Sequence, residues 1–176
     1  VKLFFRFGAS KTWTTATGWL LEDNVVVTAA HGIYNHGERA ACVKVCIGYI
    51  ASLESASVAA AAEQRLVCRV LAPLEWINEE TEQHDVAFLQ LDSPFQNVSP
   101  VILDTPEINA RQSLTIVGYP ADLSVGGMPG GEMYEMKIDR DINLERTKFH
   151  MLVYQGDLKG GEYSNFSRFW NMRSSS

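Results

Sequence analysis

Residues 18–34 read GWLLEDNVVVTAAHGIY. Two apolar runs, Thr17–Leu21 and Asn24–Thr28, meet across the turn residues EDN, which predicts a pair of strands joined by a tight connection. The second run delivers the chain into a corner of small residues, Thr28-Ala29-Ala30, and then to His31. A histidine at the tight end of a buried strand is held rigidly, as a general base must be. Small alanines beside it let neighbouring backbone approach closely. A lone histidine in such a place is more often a satisfied structural residue, so the stretch needs a partner elsewhere.

Working outward, short apolar or alternating runs separated by turn residues continue in both directions. In the first half they are Lys2–Phe7, Ala41–Ile50, Arg65–Leu71 and Val86–Leu91, besides the two already named. A polar stretch with two prolines, DSPFQNVSP at 92–100, reads as a boundary. Beyond it lie Val101–Leu103, Leu114–Gly118, Met133–Ile138 and Phe149–Tyr154, so fewer strands are visible in the second half. No long segment of helical period interrupts them. Many short strands at regular spacing predict an all-β fold, a sandwich or a pair of small barrels. The Gly-rich VGGMPGGE at 125–132 reads as a flexible connection, and without a GK[ST] ending it is no phosphate loop. Residues 162–176, rich in Ser, Asn and Arg, show no alternation and read as a polar tail.

The partner is offered by HDVAFLQL at 84–91, where Asp85 opens an apolar strand. A half-buried carboxylate needs a hydrogen-bond donor, and an imidazole N–H is a natural one. Asp85 and His31 stand 54 positions apart, so only a closed fold brings them together.

Together and in this order, GWLL with TAAH (28–31), DVAFLQL (85–91), VGYPAD (117–122) and the run from Tyr154 to Gly161 resemble the trypsin-like serine peptidase family. The GYPAD turn, and Gly32 after the histidine instead of a disulfide cysteine, resemble the glutamyl-endopeptidase branch most. The resemblance covers residues 1 to about 161. It implies a two-barrel fold, with an N-terminal barrel over 1–95, a C-terminal barrel over 96–161 and the tail at 162–176. It also implies a polypeptide substrate cleaved through an acyl-enzyme. In that scheme His31 is the base, Asp85 orients it, and Gly161 contributes to the oxyanion hole. No cofactor is implied.

The resemblance fails at the nucleophile. The family motif runs GG-x-S-G, and Gly160-Gly161 laid on its glycine pair puts Tyr163 where the serine belongs. A tyrosine hydroxyl stands about 6.5 Å from its own Cα and a serine Oγ about 2.4 Å, so one cannot replace the other on the same backbone. Ser164, the catalytic serine candidate, comes one residue late, which turns its side chain toward the opposite face. The strands that should follow and complete the second barrel are replaced by SNFSRFWNMRSSS. The expectation is therefore a serine endopeptidase fold with an incomplete second barrel, truncated at the nucleophile loop. The alternative to a working peptidase is a catalytically inactive barrel module that binds peptide or protein.

Composition bounds the remaining possibilities. The 176 residues are 46% hydrophobic and 20% charged, an ordinary globular balance. The formal net charge of −6 argues against nucleic acid or an anionic membrane as partner. No apolar run reaches the roughly 20 residues that span a bilayer. The chain begins at Val1 with no signal-peptide pattern, which a removed or omitted leader would also explain; the resemblance implies secretion by default, the few cysteines suit an intracellular compartment, and a place within a larger protein stays open. Cys42, Cys46 and Cys68 are too few for a disulfide framework. Cys42 and Cys46 fall on one strand face, about 13 Å apart, so at most one of them bridges to Cys68. The simpler reading is that all three are small buried hydrophobes. His31, His36, His84 and His150 lack metal-site spacing, and no metal is expected. Asp157, six before Tyr163, does not settle specificity. Asn97-Val-Ser and Asn165-Phe-Ser match the glycosylation sequon.

Overall fold

The computed structural model describes residues 1–51, 63–103, 114–138, 145–146, 151–153 and 169–170. Its chain divides into two compact units, one of Val1–Ile102 with Gly118–Met133 and one of Leu103–Val117 with Tyr134–Ser176. Among the described residues, no helix is long and apolar enough to cross a membrane.

The first unit is built on strands β1 (Lys2–Phe7), β2 (Thr14–Thr17), β3 (Trp19–Glu22), β4 (Val25–Thr28), β5 (Tyr34–Asn35), β6 (Glu38–Ile47), β7 (Glu63–Leu71) and β8 (Ala87–Leu91). Their order is β2-β1-β6-β7-β8-β4-β3, every pairing is antiparallel, and β5 pairs with β6. The edges of this sheet, β2 and β3, are consecutive in sequence with Gly18 alone between them. The sheet therefore curls until its two edges meet. Gly18 N–H donates to Val1 O at 3.0 Å, and the Thr28 hydroxyl donates to Thr17 O at 2.9 Å across the meeting line. A Cβ on Gly18 would stand 2.8 Å from Val27 O and 2.9 Å from Val26 Cγ1, so only glycine allows the approach.

Alternation decides which side chains enter the curl. Leu3 and Phe5 of β1, Val43 and Val45 of β6, and Ala87, Leu89 and Leu91 of β8 are buried inside it with Leu20, Val26 and Ile33. Phe95 joins them, so the Pro-flanked stretch after β8 supplies core as well as connection. Its N–H donates to Asp23 O. A short helix, α1 (Leu74–Glu79), was not foreseen by periodicity. It inserts Trp76, whose indole N–H donates to Tyr34 O at 2.8 Å.

Four further expectations are corrected. Val101–Leu103 forms no strand; its side chains are exposed, and Val101 N–H donates instead to Leu20 O. The Gly-rich stretch is not a loose connection but a two-residue hairpin joining β10 (Ser124–Val125) to β11 (Met128–Pro129). Gly126 and Gly127 have φ of 60° and 75°, the pair of positive values a tight turn of this twist requires. The three cysteines are free, and they do not share one environment: Cys46 is buried, Cys42 half-buried and Cys68 exposed. Finally, the polar tail is not strandless, since β15 (Phe169–Trp170) pairs with β14 (Met151–Val153).

In the second unit β9 (Leu114–Gly118), whose last residue belongs to the first, pairs with β12 (Tyr134–Ile138), and β13 (Glu145–Arg146) with β14 and β15 forms a three-stranded antiparallel sheet. Among the described residues these sheets do not close. The architecture is all-β, with one curled sheet and smaller open ones.

Candidate functional site

Strand β4 ends at Thr28, whose hydroxyl is tied to Thr17 O. Ala29 continues extended, and the chain then turns once in a 3-10 helix, Ala30–Gly32, carrying His31 at its centre. Ile33 N–H donates to Ala30 O at 2.8 Å, and Ala30 and Ile33 are both buried in the core. The histidine thus sits on a single short turn anchored by its neighbours on both sides.

Asp85 arrives by a different device. A 3-10 turn, Glu82–His84, leads to it, and the Thr81 hydroxyl lies 2.8 Å from His84 Nδ1 within that turn. Asp85 itself has φ −73° and ψ 63°, and Val86 N–H donates across it to His84 O at 2.8 Å. This is an inverse γ-turn, the lowest-strain three-residue reversal of the chain. It aims the carboxylate sideways just before β8 enters the core beside β4.

The two elements converge. Asp85 Oδ2 lies 2.7 Å from His31 Nδ1, and Asp85 Oδ1 accepts from the His31 main-chain N–H at 2.8 Å. The aspartate side chain is 14% exposed and the histidine 38%, so the carboxylate is sheltered while the ring keeps an open edge. A carboxylate can only accept, so the proton of the neutral imidazole is placed on Nδ1. Nε2, without a partner among the described residues, is left with its lone pair free to take a proton. That is the arrangement of a base and its orienter.

The other sequence candidates are not drawn in. His36 Nδ1 pairs with Glu80 Oε2 at 3.4 Å on the surface, and His84 serves its own turn. Among the described residues no three His, Cys, Asp or Glu side chains group to hold a metal ion. Gly161, Tyr163, Ser164, Asp157 and His150 lie outside the described residues. Two features that sequence reasoning missed are the γ-turn at Asp85 and the threonine pair. Thr17 Oγ1 also accepts from Tyr119 N–H at 2.8 Å, so the VGYPAD turn is fastened to the strand beside the site.

With this geometry in place, comparison with known proteins gives the lineage. Residues 4–138 match the trypsin family. The chain belongs to that family. No curated protein matches the chain. Among solved structures, a Glu endopeptidase in complex with MPD is similar at 22% identity and TM-score 0.59, over 78% of this chain and 60% of its own length. Protease Anisep from Arthrobacter nicotinovorans is similar at 18% identity and TM-score 0.63, over 99% of this chain and 77% of its own. The thermostable serine protease AL20 from an extremophilic microorganism follows at 20% identity and TM-score 0.55, over 77% and 62%. These likenesses concern the fold. They agree with a two-barrel trypsin-like architecture whose second barrel is not closed among the described residues, and the trypsin-family chain spans about three-fifths of the Glu endopeptidase it resembles.

Proposed function

We propose that this chain is a trypsin-family barrel module that keeps the base half of a serine-peptidase site and binds polypeptide without hydrolysing it. In this reading residues 1–95 form the N-terminal barrel, 96–161 the C-terminal one, and 162–176 the following segment. The observation that carries it is a mismatch. His31 and Asp85 are joined at 2.7 Å, yet laying Gly160-Gly161 on the family's glycine pair puts Tyr163, not a serine, in the nucleophile's place. A base without a nucleophile cannot form an acyl-enzyme. The GYPAD turn and the likeness to a Glu endopeptidase support placement in the glutamyl-endopeptidase branch. The departure of the sequence from the motif GG-x-S-G after Gly161 favours, in this reading, a truncation or misread boundary at the codons for Gly160–Glu162, and the family match itself runs only to residue 138. An unbroken transcript encoding this segment would overturn that part.

A second reading, a serine endopeptidase using Ser164, is favoured by the assembled pair itself, since a carboxylate that shelters an open-edged histidine has a catalytic shape. Labelling the folded chain with a fluorophosphonate separates the two. The module reading expects no covalent adduct while circular dichroism shows a folded β protein. An adduct on Ser164 that disappears in His31→Ala would establish the peptidase and sink the module.

A further inference from the structure

On the outer face of the curled sheet, away from the core, lies a cavity of about 490 Å³ that the His31–Asp85 pair does not use. Phe4 of β1 and Lys44 of β6, paired across the strands, contribute to it. Trp13 and Thr15 come from the β2 segment, and Tyr49 and Met128 from the loop after β6 and from the hairpin. Its size falls in the range of roughly 300–1,000 Å³ that holds small organic molecules, and its walls are largely aromatic and apolar.

Among the described lining residues the one charged side chain is a cation, Lys44. Lys44 Nζ lies 4.4 Å from the centroid of the Trp13 ring, and the Arg6 guanidinium carbon lies 5.2 Å from the same ring. In a chain of net charge −6, neither cation forms an ion pair among the described residues. Arg6 Nε is buried without any hydrogen-bond partner. The indole satisfies only part of the demand of two cations, since an aromatic face holds a cation less strongly than a carboxylate at hydrogen-bond distance. Gln64, opposite Cys46 in the strand register, also lines the cavity and carries a carboxamide that can donate a hydrogen bond.

We propose that this groove binds a small aromatic carboxylate, with the ring system against Phe4, Trp13 and Tyr49 and the carboxylate at the Lys44 ammonium. The apolar walls select the body, and the Lys44 ammonium selects a single negative charge at one end. A neutral aromatic would leave Lys44 unanswered, and a purely ionic ligand would waste the aromatic walls.

The test uses the full chain titrated with naphthalene-2-carboxylate, following the Trp13 indole N–H resonance, which Trp13→Phe assigns. Saturable binding is expected. Naphthalene-2-carboxamide should bind at least about fivefold more weakly, as should Lys44→Gln, with Lys44→Arg restoring most of the loss; fivefold is about 1 kcal/mol. Lys137→Gln, an exposed change on β12 at a residue that does not line the cavity, controls for general charge. Absence of saturable binding overturns the proposal. So does a loss of less than about fivefold for the carboxamide, or for Lys44→Gln with the β-sheet spectrum intact.

Discussion

The Asp85 carboxylate accepts two hydrogen bonds from one residue, from the main-chain N–H of His31 at 2.8 Å and from its ring Nδ1 at 2.7 Å. The first bond fixes where the histidine's backbone turns, and the second fixes how its ring is rotated. One side chain thus positions both the element and the functional group it carries.

Replacing this carboxylate separates the two effects. In Asp85→Ala the partly buried His31 N–H loses its acceptor, which should cost about 1–3 kcal/mol of stability. A lower urea midpoint with an unchanged slope would show it. In Asp85→Asn one backbone bond can persist, but an amide N–H₂ facing Nδ1 requires that nitrogen to accept. The His31 proton should then move to Nε2, which ¹⁵N imidazole shifts report. A ring that keeps its Nδ1 proton in Asp85→Asn would show that the aspartate does not set the tautomer.

Gly18 is the closing point of the curled sheet, and its substitution should be unusually damaging for so small a change. In Gly18→Ala the new methyl would meet Val27 O at 2.8 Å and Leu3 Cδ1 at 3.2 Å, contacts that backbone and core must both move to relieve. Overpacking of this kind costs about 1–3 kcal/mol. Chemical denaturation should show a loss of that size, whereas a loss under about 0.5 kcal/mol, the size of an ordinary surface change, would mean that the two edges are not held together here.

Much of this arrangement was legible in sequence, because alternation reports directly on a half-buried strand. Lys2–Phe7, Arg65–Leu71 and Val86–Leu91 fall within two residues of observed strands. His31 and Asp85 were readable as a pair because strand-end histidine and strand-opening aspartate are local signals, though their contact is not local. What was illegible depends on tertiary context. Helix α1 is six residues long and buries one of them, Trp76, too little to impose a period. The hairpin at Gly126–Gly127 has strands of only two residues each, below the length at which alternation can be read. β15 is equally short. Nothing local in the sequence marks Lys2 for burial, which is produced by a hairpin more than a hundred residues away.

Trp76 offers a simple check on the role of α1. Its indole N–H reaches Tyr34 O, two residues beyond the turn that carries His31. Trp76→Phe keeps most of the apolar burial and leaves that carbonyl without its donor, so a loss of about 1 kcal/mol is expected. Broadening or shifting of the His31 ring resonances in the same variant would show that the helix steadies the site. An unchanged histidine spectrum would confine α1 to packing.

Lys2 gives the sharpest pH prediction. It is fully buried, with Nζ donating to Pro129 O at 2.8 Å and Gly130 O at 2.5 Å and lying 4.5 Å from the Tyr49 ring centroid. Carbonyls and rings favour the cation, but loss of water outweighs them, and the ammonium pKa falls from 10.5 to about 8. The folded state therefore releases this proton before the unfolded chain does. Below pH 8 the full cost of burying the charge is present, and it declines as pH rises from about 8 toward 10.5. Stability contributed at this position should rise with pH in that window. Cys46, Tyr49 and Tyr119 beside it act in the opposite sense, since burial raises each of their pKa values and the unfolded chain loses those protons first. The thiol, whose ordinary pKa is 9.0, acts from about pH 8 and the phenols from about pH 9, so the comparison over pH 7 to 9 is made with a variant that retains all three. Between these limits the unfolding free energy of the natural chain should gain about 1 kcal/mol relative to Lys2→Met, which keeps the three neighbours and removes only the amine. Urea titrations of both proteins across the interval measure that difference, and a flat or falling difference would show that Lys2 is held as a fully stable cation.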